Sequence, residues 1–203
     1  MKNLLREIAK EKIYPVIRCN DANKAEDIAN ALIEGGARVI EINIENNSLY
    51  KVIENVSSKV HVCAGSIITN TEAMQAYKCG AEMFSSPIFQ MNLVKQSKNI
   101  GIPFIAGTST ANEAYSAWKA RIPLIKLFPV KARGGVPYFE ELIRQMPFLN
   151  LLPMGNIKLD EVADYIKAGA VAVGVGRDFY ENHSLTEITN RTKRVLEQVK
   201  EIS

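Results

Sequence analysis

Four stretches of this chain repeat one design: EGGARVIEI, KCGAEMFSS, NIGIPFIAG and KAGAVAVGV. Each reads as the end of an amphipathic helix, a small-residue stop and then a short apolar strand. Followed along the sequence, the pattern predicts eight strands, at about residues 13–19, 38–45, 60–66, 82–87, 103–108, 123–129, 149–155 and 170–176. Helical patterns separate all of them and one follows the last. Strands that alternate with helices pair in parallel through right-handed crossovers. Eight such units predict a closed (β/α)8 TIM barrel, with a short N-terminal helix before it, as a single domain over residues 1–203. A doubly wound open sheet is the alternative.

Local signals place the helix ends. Asp21 precedes a helix whose apolar face is Ala25, Ile28, Ala29 and Leu32. Thr110 with Glu113, and Ser184 with Glu187, have capping-box spacing. Gly35, Gly80 and Gly169 suit the left-handed residue that closes a helix. Pro137 is expected in a first helical turn. In the last helix Leu185, Ile188, Val195, Leu196, Val199 and Ile202 share one side, and Leu4, Leu5 and Ile8 do so in the first. Trp118 reads as a packing residue of the helix after AGTST.

The bulk numbers exclude several function classes. Of 203 residues, 47% are hydrophobic and 23% charged, an ordinary globular composition. The net charge of +3 comes from scattered residues, so no nucleic-acid arm or membrane-binding basic helix is expected. No apolar run reaches the length of a membrane span and the N-terminus is not a signal peptide, which points to a cytoplasmic protein. Cys19, Cys63 and Cys79 are widely spaced, and His61 and His183 lie near no other ligand type, so neither a metal site nor a cofactor is expected.

Strand parity supplies the chemistry. Successive residues of a strand point to opposite faces. In ARVIEINIEN, Ile40, Ile42 and Ile44 share the helix-facing side, which turns Val39, Glu41, Asn43 and Glu45 inward. In the sixth strand Ile125 and Leu127 face the helices, while Leu124, Lys126 and Phe128 point inward. Two opposite charges, Glu41 and Lys126, are thus expected inside one barrel. As a purely structural ion pair they are poor value, because desolvation offsets their attraction. A lysine in an apolar pocket has its charged form disfavoured and offers a nucleophilic amine that condenses with a ketone. A carboxylate beside it moves the protons that imine chemistry requires.

The segments RVIEINIEN, CAGSIITN, FSSP, GIPFIAGTSTANEA, IKLFPVKARGG and LLPMGNI together resemble the class I KDPG/KHG aldolases, the 2-dehydro-3-deoxy-phosphogluconate and 4-hydroxy-2-oxoglutarate aldolases. The resemblance covers about residues 10–180, in order. It implies a homotrimeric barrel without cofactor that cleaves a 2-keto-3-deoxy sugar acid phosphate to pyruvate and glyceraldehyde 3-phosphate. Cleavage of 4-hydroxy-2-oxoglutarate to pyruvate and glyoxylate is implied with it. By motif match Lys126 forms the Schiff base, Glu41 transfers protons, Ser66 contacts substrate, and Pro87 and Phe128 wall the pyruvate pocket.

The chain also departs from the family pattern. Glu45 stands where many members carry a substrate-binding arginine, as in the 2-dehydro-3-deoxy-6-phosphogalactonate branch, which also lacks it. Arg18, at the end of the first strand, is then the expected holder of an anionic end of the substrate. The seventh- and eighth-strand loops are the phosphate site of such barrels, here Gly155 with Asn156 and Gly176 with Arg177. Asn156 replaces a glycine, Met154 a small residue and Arg177 a common serine. Two further readings stand beside the aldolase: a phosphate-binding barrel of isomerase or decarboxylase type, and a non-catalytic descendant that binds a keto acid or sugar phosphate.

Overall fold

The computed structural model describes residues 2–202. Helix α1 (Lys2–Glu11) leads into β1 (Ile13–Ile17), and the chain then alternates α2 (Ala22–Glu34), β2 (Val39–Asn43), α3 (Leu49–Val56), β3 (His61–Gly65), α4 (Asn70–Lys78) and β4 (Met83–Ser86). It continues through α5 (Met91–Ile100), β5 (Phe104–Thr108), α6 (Ala111–Lys119), β6 (Ile125–Leu127), α7 (Val136–Gln145), β7 (Leu151–Pro153), α8 (Val162–Lys167), β8 (Val173–Val175) and α9 (Leu185–Lys200). The parallel strands run in the order β7-β6-β5-β4-β3-β2-β1-β8. Between the two end strands, Val171 N donates to Leu151 O at 3.0 Å and Met154 bridges Gly174 in parallel. The sheet therefore closes as a (β/α)8 barrel, and the open alternative is set aside. Each strand is shorter than its expected run, because the ladder is narrower than the apolar stretch around it: Leu124 is 2% exposed although β6 begins at Ile125.

Parity sorts the core into two layers. Ile40, Ile42, Ile125 and Leu127 pack with the helices, while Val16, Val39, Cys63, Met83, Ile105, Leu124 and Leu152 fill the barrel interior. Leu4 and Ile8 of α1 belong to that interior cluster, so the N-terminal helix plugs the barrel floor with its apolar face. The floor leaves the upper interior to polar side chains.

The caps follow their sequence signals where the side chain can reach. Asp21 accepts from Lys24 N, Thr110 and Glu113 form a reciprocal capping box, and Ser184 accepts from Glu187 N. Pro137 lies in the first turn of α7. Two expectations change. Gly80 and Gly169 have positive φ, but after α2 it is Gly36, at φ 102°, that turns left-handed, while Gly35 stays right-handed at φ −70°. Gly35 is small for another reason: a Cβ there would lie 2.4 Å from Thr192 Cβ, where α9 packs closely. Leu185 is 48% exposed, because it opens α9 before the helix reaches the core. Trp118 does pack, as expected: 42% exposed, it stacks on Tyr115 and meets Phe148 at a tilt, at the surface.

The plug carries a pH-dependent contact. Glu11 is 8% exposed, and its Oε1 accepts from Arg38 N at 2.9 Å while Oε2 has no partner. Burial raises its carboxyl from 4.5 to about 7. The folded state thus holds a proton that the unfolded chain has released, which favours folding at low pH. That stability is complete below the unfolded value of 4.5 and is lost as pH rises through about 7. Glu11→Gln keeps the acceptor and has no charge to bury. Thermal melts should show the variant gaining on the wild type between about pH 5 and pH 8, by ~3 kcal/mol at most. A difference that stays flat over this range would refute the burial argument.

Candidate active site

Glu41 comes from the middle of β2 and Lys126 from the middle of β6, 85 residues apart in sequence. Both are held by ladder partners: Glu41 pairs with Val16 and Cys63, and Lys126 with Gly107 and Leu152. Closure of the barrel brings their side chains together. Lys126 Nζ lies 3.3 Å from Glu41 Oε1 and donates to Ser85 Oγ at the same 3.3 Å. Glu41 is 0% exposed and Lys126 5%. The Phe128 ring covers the end of the lysine, its centroid 5.4 Å from Nζ. Room for the carboxylate comes from Gly65, where a Cβ would sit 2.6 Å from Glu41 Oε1 and 2.1 Å from the Asn43 amide.

A polar chain runs from this pair to the surface. With the Asn43 amide oriented by its neighbours, its nitrogen donates to Glu41 Oε1 at 3.0 Å and its oxygen accepts from Arg18 Nε at 3.2 Å. Arg18 faces Glu45 at 3.6 Å and its Nη2 reaches Ser66 Oγ at 3.5 Å. Glu45 thus partners the arginine rather than standing alone at the pocket mouth. Tyr180 fixes the Arg18 backbone, accepting from its N at 3.0 Å and donating to its O at 3.3 Å. Ser66 has φ 62°, a left-handed conformation uncommon for a residue with a side chain.

Arg18, Ser66, Pro87, Lys126, Phe128, Gly155, Asn156, Gly176 and Arg177 all line one cavity of about 690 Å³ at the C-terminal end of the strands. Glu41 lies beneath its floor, reached through Lys126 and Asn43. At the far side Gly155 (φ 114°) and Asn156 (φ 56°) form two consecutive left-handed residues. Asn156 therefore adopts the conformation expected of a glycine at its position. Arg177 Nη2 donates to Asn156 Oδ1 at 3.2 Å, which ties the β7 and β8 loops together. Met154 lies across Gly174, where an added Cβ would meet its Cε at 2.4 Å, and so narrows the cavity.

Several lining or contacting residues were not anticipated. Ser85 shares the inward parity of Met83, and the alternation in FSSP contains the signal that places it on Lys126. Tyr180 and Lys158 enter the cavity wall from loops whose course no periodicity encodes. Lys131 and Arg133 engage Glu161 and Ser109. His61 and His183 face Glu82 and Glu187. Among the described residues no three His, Cys, Asp or Glu side chains cluster as a metal site, and no helix is long and apolar enough to cross a membrane.

The family model and the sequence relatives agree on one family. The family model described as KDPG and KHG aldolase matches residues 4–197. A 2-dehydro-3-deoxy-phosphogluconate aldolase of Treponema pallidum is 28% identical, with 82% of this chain and 80% of the relative covered. A 2-dehydro-3-deoxy-6-phosphogalactonate aldolase of Escherichia coli is 22% identical over 89% of this chain and 90% of its own. The fold is also that of the Legionella pneumophila KDPG aldolase, solved with pyruvate captured as a covalent carbinolamine. The TM-score there is 0.85 at 24% identity, covering 94% of this chain and 97% of that one.

Proposed function

The chain belongs to the KDPG and KHG aldolase family and is an aldolase; on that basis we propose that it cleaves a 2-keto-3-deoxy sugar acid phosphate through a Schiff base at Lys126. The observation that carries this is the buried Lys126–Glu41 contact, 3.3 Å long, at the base of the cavity. The neutral amine of Lys126 attacks the C2 ketone, and the carbinolamine loses water to give an iminium. Glu41 takes the proton of the C4 hydroxyl. The C3–C4 bond then breaks, its electron pair flows into the iminium, and the aldehyde leaves. Protonation of the enamine at C3 and hydrolysis release pyruvate and free the lysine. Phe128 and Pro87 wall the pyruvyl end, and Ser66 contacts its carboxylate.

The substrate is KDPG or its galactonate epimer, giving glyceraldehyde 3-phosphate as the aldehyde; 4-hydroxy-2-oxoglutarate, giving glyoxylate, is the smaller alternative. Arg18 holds the anionic group at one end and Arg177, with Gly155, Asn156 and Gly176, the phosphate at the other. We place the enzyme in the cytoplasm as a homotrimer. Ile68, Ile88 and Met91, which offer about half their surface to solvent (48%, 51% and 48%), supply apolar area for such contacts. The decisive experiment is borohydride reduction in the presence of pyruvate. A covalent pyruvyl adduct on Lys126, found by peptide mass spectrometry, supports the reading, and an unmodified Lys126 ends it.

The phosphate assignment has its own test. Arg177→Ala should raise KM about tenfold for the phosphorylated substrate, as expected for a charge at an accessible rim, and leave that for 4-hydroxy-2-oxoglutarate near the wild-type value. Equal losses with both substrates would remove Arg177 from phosphate recognition.

A further inference from the structure

Below the Lys126–Glu41 pair lies a second polar layer that the proposed mechanism does not use. Tyr14 of β1 points into the barrel and is 0% exposed. Its hydroxyl lies against the Glu41 carboxylate and the Cys63 thiol. Cys63, also 0% exposed, is the β3 ladder partner of Glu41. Everything else around this layer is apolar: Val16, Val39, Met83, Ile105, Leu124 and Leu152. A hydroxyl in such surroundings is costly unless it is hydrogen-bonded. Yet Tyr14 Oη and Glu41 Oε2 both lack a partner within bonding geometry. One is a donor and the other an acceptor, on side chains that already adjoin. Burial and the Glu41 and Cys63 groups beside it push the Tyr14 hydroxyl well above its usual range, so it remains a protonated donor.

We infer that Tyr14 is a positioning residue for Glu41: its hydroxyl donates to Oε2 from below and fixes the carboxylate so that Oε1 faces Lys126 and the cavity. This rests on the aldolase reading above. Oε1 already meets Asn43 and Lys126 on the cavity side, at 3.0 Å and 3.3 Å. With Oε2 held by Tyr14, the carboxylate cannot turn about its terminal bond, and the oxygen that moves protons is Oε1. Cys63, whose Sγ donates to Ala64 O at 3.8 Å, lies beside the same hydroxyl as a second acceptor and closes the layer from β3. The titratable groups that face the carboxylate are thus Lys126 from β6, Tyr14 from β1 and Cys63 from β3, with Arg18 further off behind Asn43.

The test is Tyr14→Phe, which deletes one buried oxygen and keeps the ring. We expect kcat to fall on the order of tenfold, a part of the 10²–10⁴ that a placed acid–base group supplies, with KM unchanged. A carboxylate that loses a donor is protonated more readily, so the acid limb of the rate profile should move up by about one pH unit. Combining Tyr14→Phe with Glu41→Gln should cost nothing beyond Glu41→Gln alone. Cys63→Ala removes the competing acceptor for the Tyr14 proton, so the acid limb should move down by less than about one pH unit, and this variant carries the test alone if Tyr14→Phe does not fold. A wild-type kcat and pH profile in Tyr14→Phe, or losses that multiply in the double variant, overturn the role; so does an unshifted profile in Cys63→Ala when it stands alone. Borohydride trapping of pyruvate separates the two readings. Trapping in the wild type with an unshifted Tyr14→Phe profile sinks only the positioning role, whereas no trapping in the wild type sinks the aldolase chemistry and this role with it.

Discussion

Lys126→Ala is expected to leave no measurable aldol cleavage, and Lys126→Arg to do no better. Alanine has no nitrogen. Arginine stays charged at every accessible pH and cannot supply the neutral amine that attacks a ketone. The loss should therefore be of the covalent pathway itself, with no adduct on reduction in the presence of pyruvate. Both variants should still fold. Lys126→Ala leaves the Glu41 carboxylate without its cation, and breaking a buried pair costs about 3–5 kcal/mol. That is a large share of the 5–15 kcal/mol typical of a domain, so the melting temperature should fall visibly. A pure, folded Lys126→Ala preparation that turns over at the wild-type rate would remove the lysine from the mechanism.

Glu41→Gln should lower kcat by roughly 10²–10⁴, the usual contribution of a positioned acid–base group. Glutamine has nearly the same shape and its oxygen still accepts from Lys126, so the cavity should keep its form. What it lacks is a site for the proton of the C4 hydroxyl. Imine formation at Lys126 should persist, more slowly, so borohydride trapping with pyruvate survives while cleavage collapses. This split between trapping and turnover distinguishes a proton-transferring carboxylate from one that only balances the lysine charge. Unchanged turnover with a normal pH profile would assign Glu41 to structure alone.

The two variants probe side chains that were legible in different degrees. That Glu41 and Lys126 point inward follows from the two-residue period of a strand, which is a local property of the backbone. The apolar partners on the opposite face, Ile40 and Ile42 in one strand and Ile125 and Leu127 in the other, fix the direction without any knowledge of the fold. The eightfold strand–helix alternation and the cap at Thr110 are local in the same sense, and the barrel follows from repetition of one unit. The glycine that closes α2 was not legible, since Gly35 and Gly36 are both allowed the left-handed turn. In the folded chain Gly36 turns left-handed, while Gly35 stays right-handed with Thr192 of a distant helix packed where a Cβ would be.

Closure decided the rest. Parity says which side of the sheet a residue occupies, but not which residues of other strands it meets across the interior. Only the register of the closed barrel sets Lys126 Nζ at 3.3 Å from Glu41, puts Ser85 beside the same lysine and slides Tyr14 under the carboxylate. Likewise Glu45 reads in the sequence as a negative charge that Arg18 or Arg177 must offset, and it faces Arg18 because neighbouring strands end side by side. Trp118 reads as a packing residue, and it packs on Tyr115 and Phe148 at the surface because α6 turns its alanines, Ala114 and Ala117, toward the barrel. The sequence alone determined the repeating unit, the direction of each strand side chain and, through its resemblance, the family. The tertiary structure alone determined which of those side chains touch, because distances across a barrel depend on strand register, which no short segment encodes.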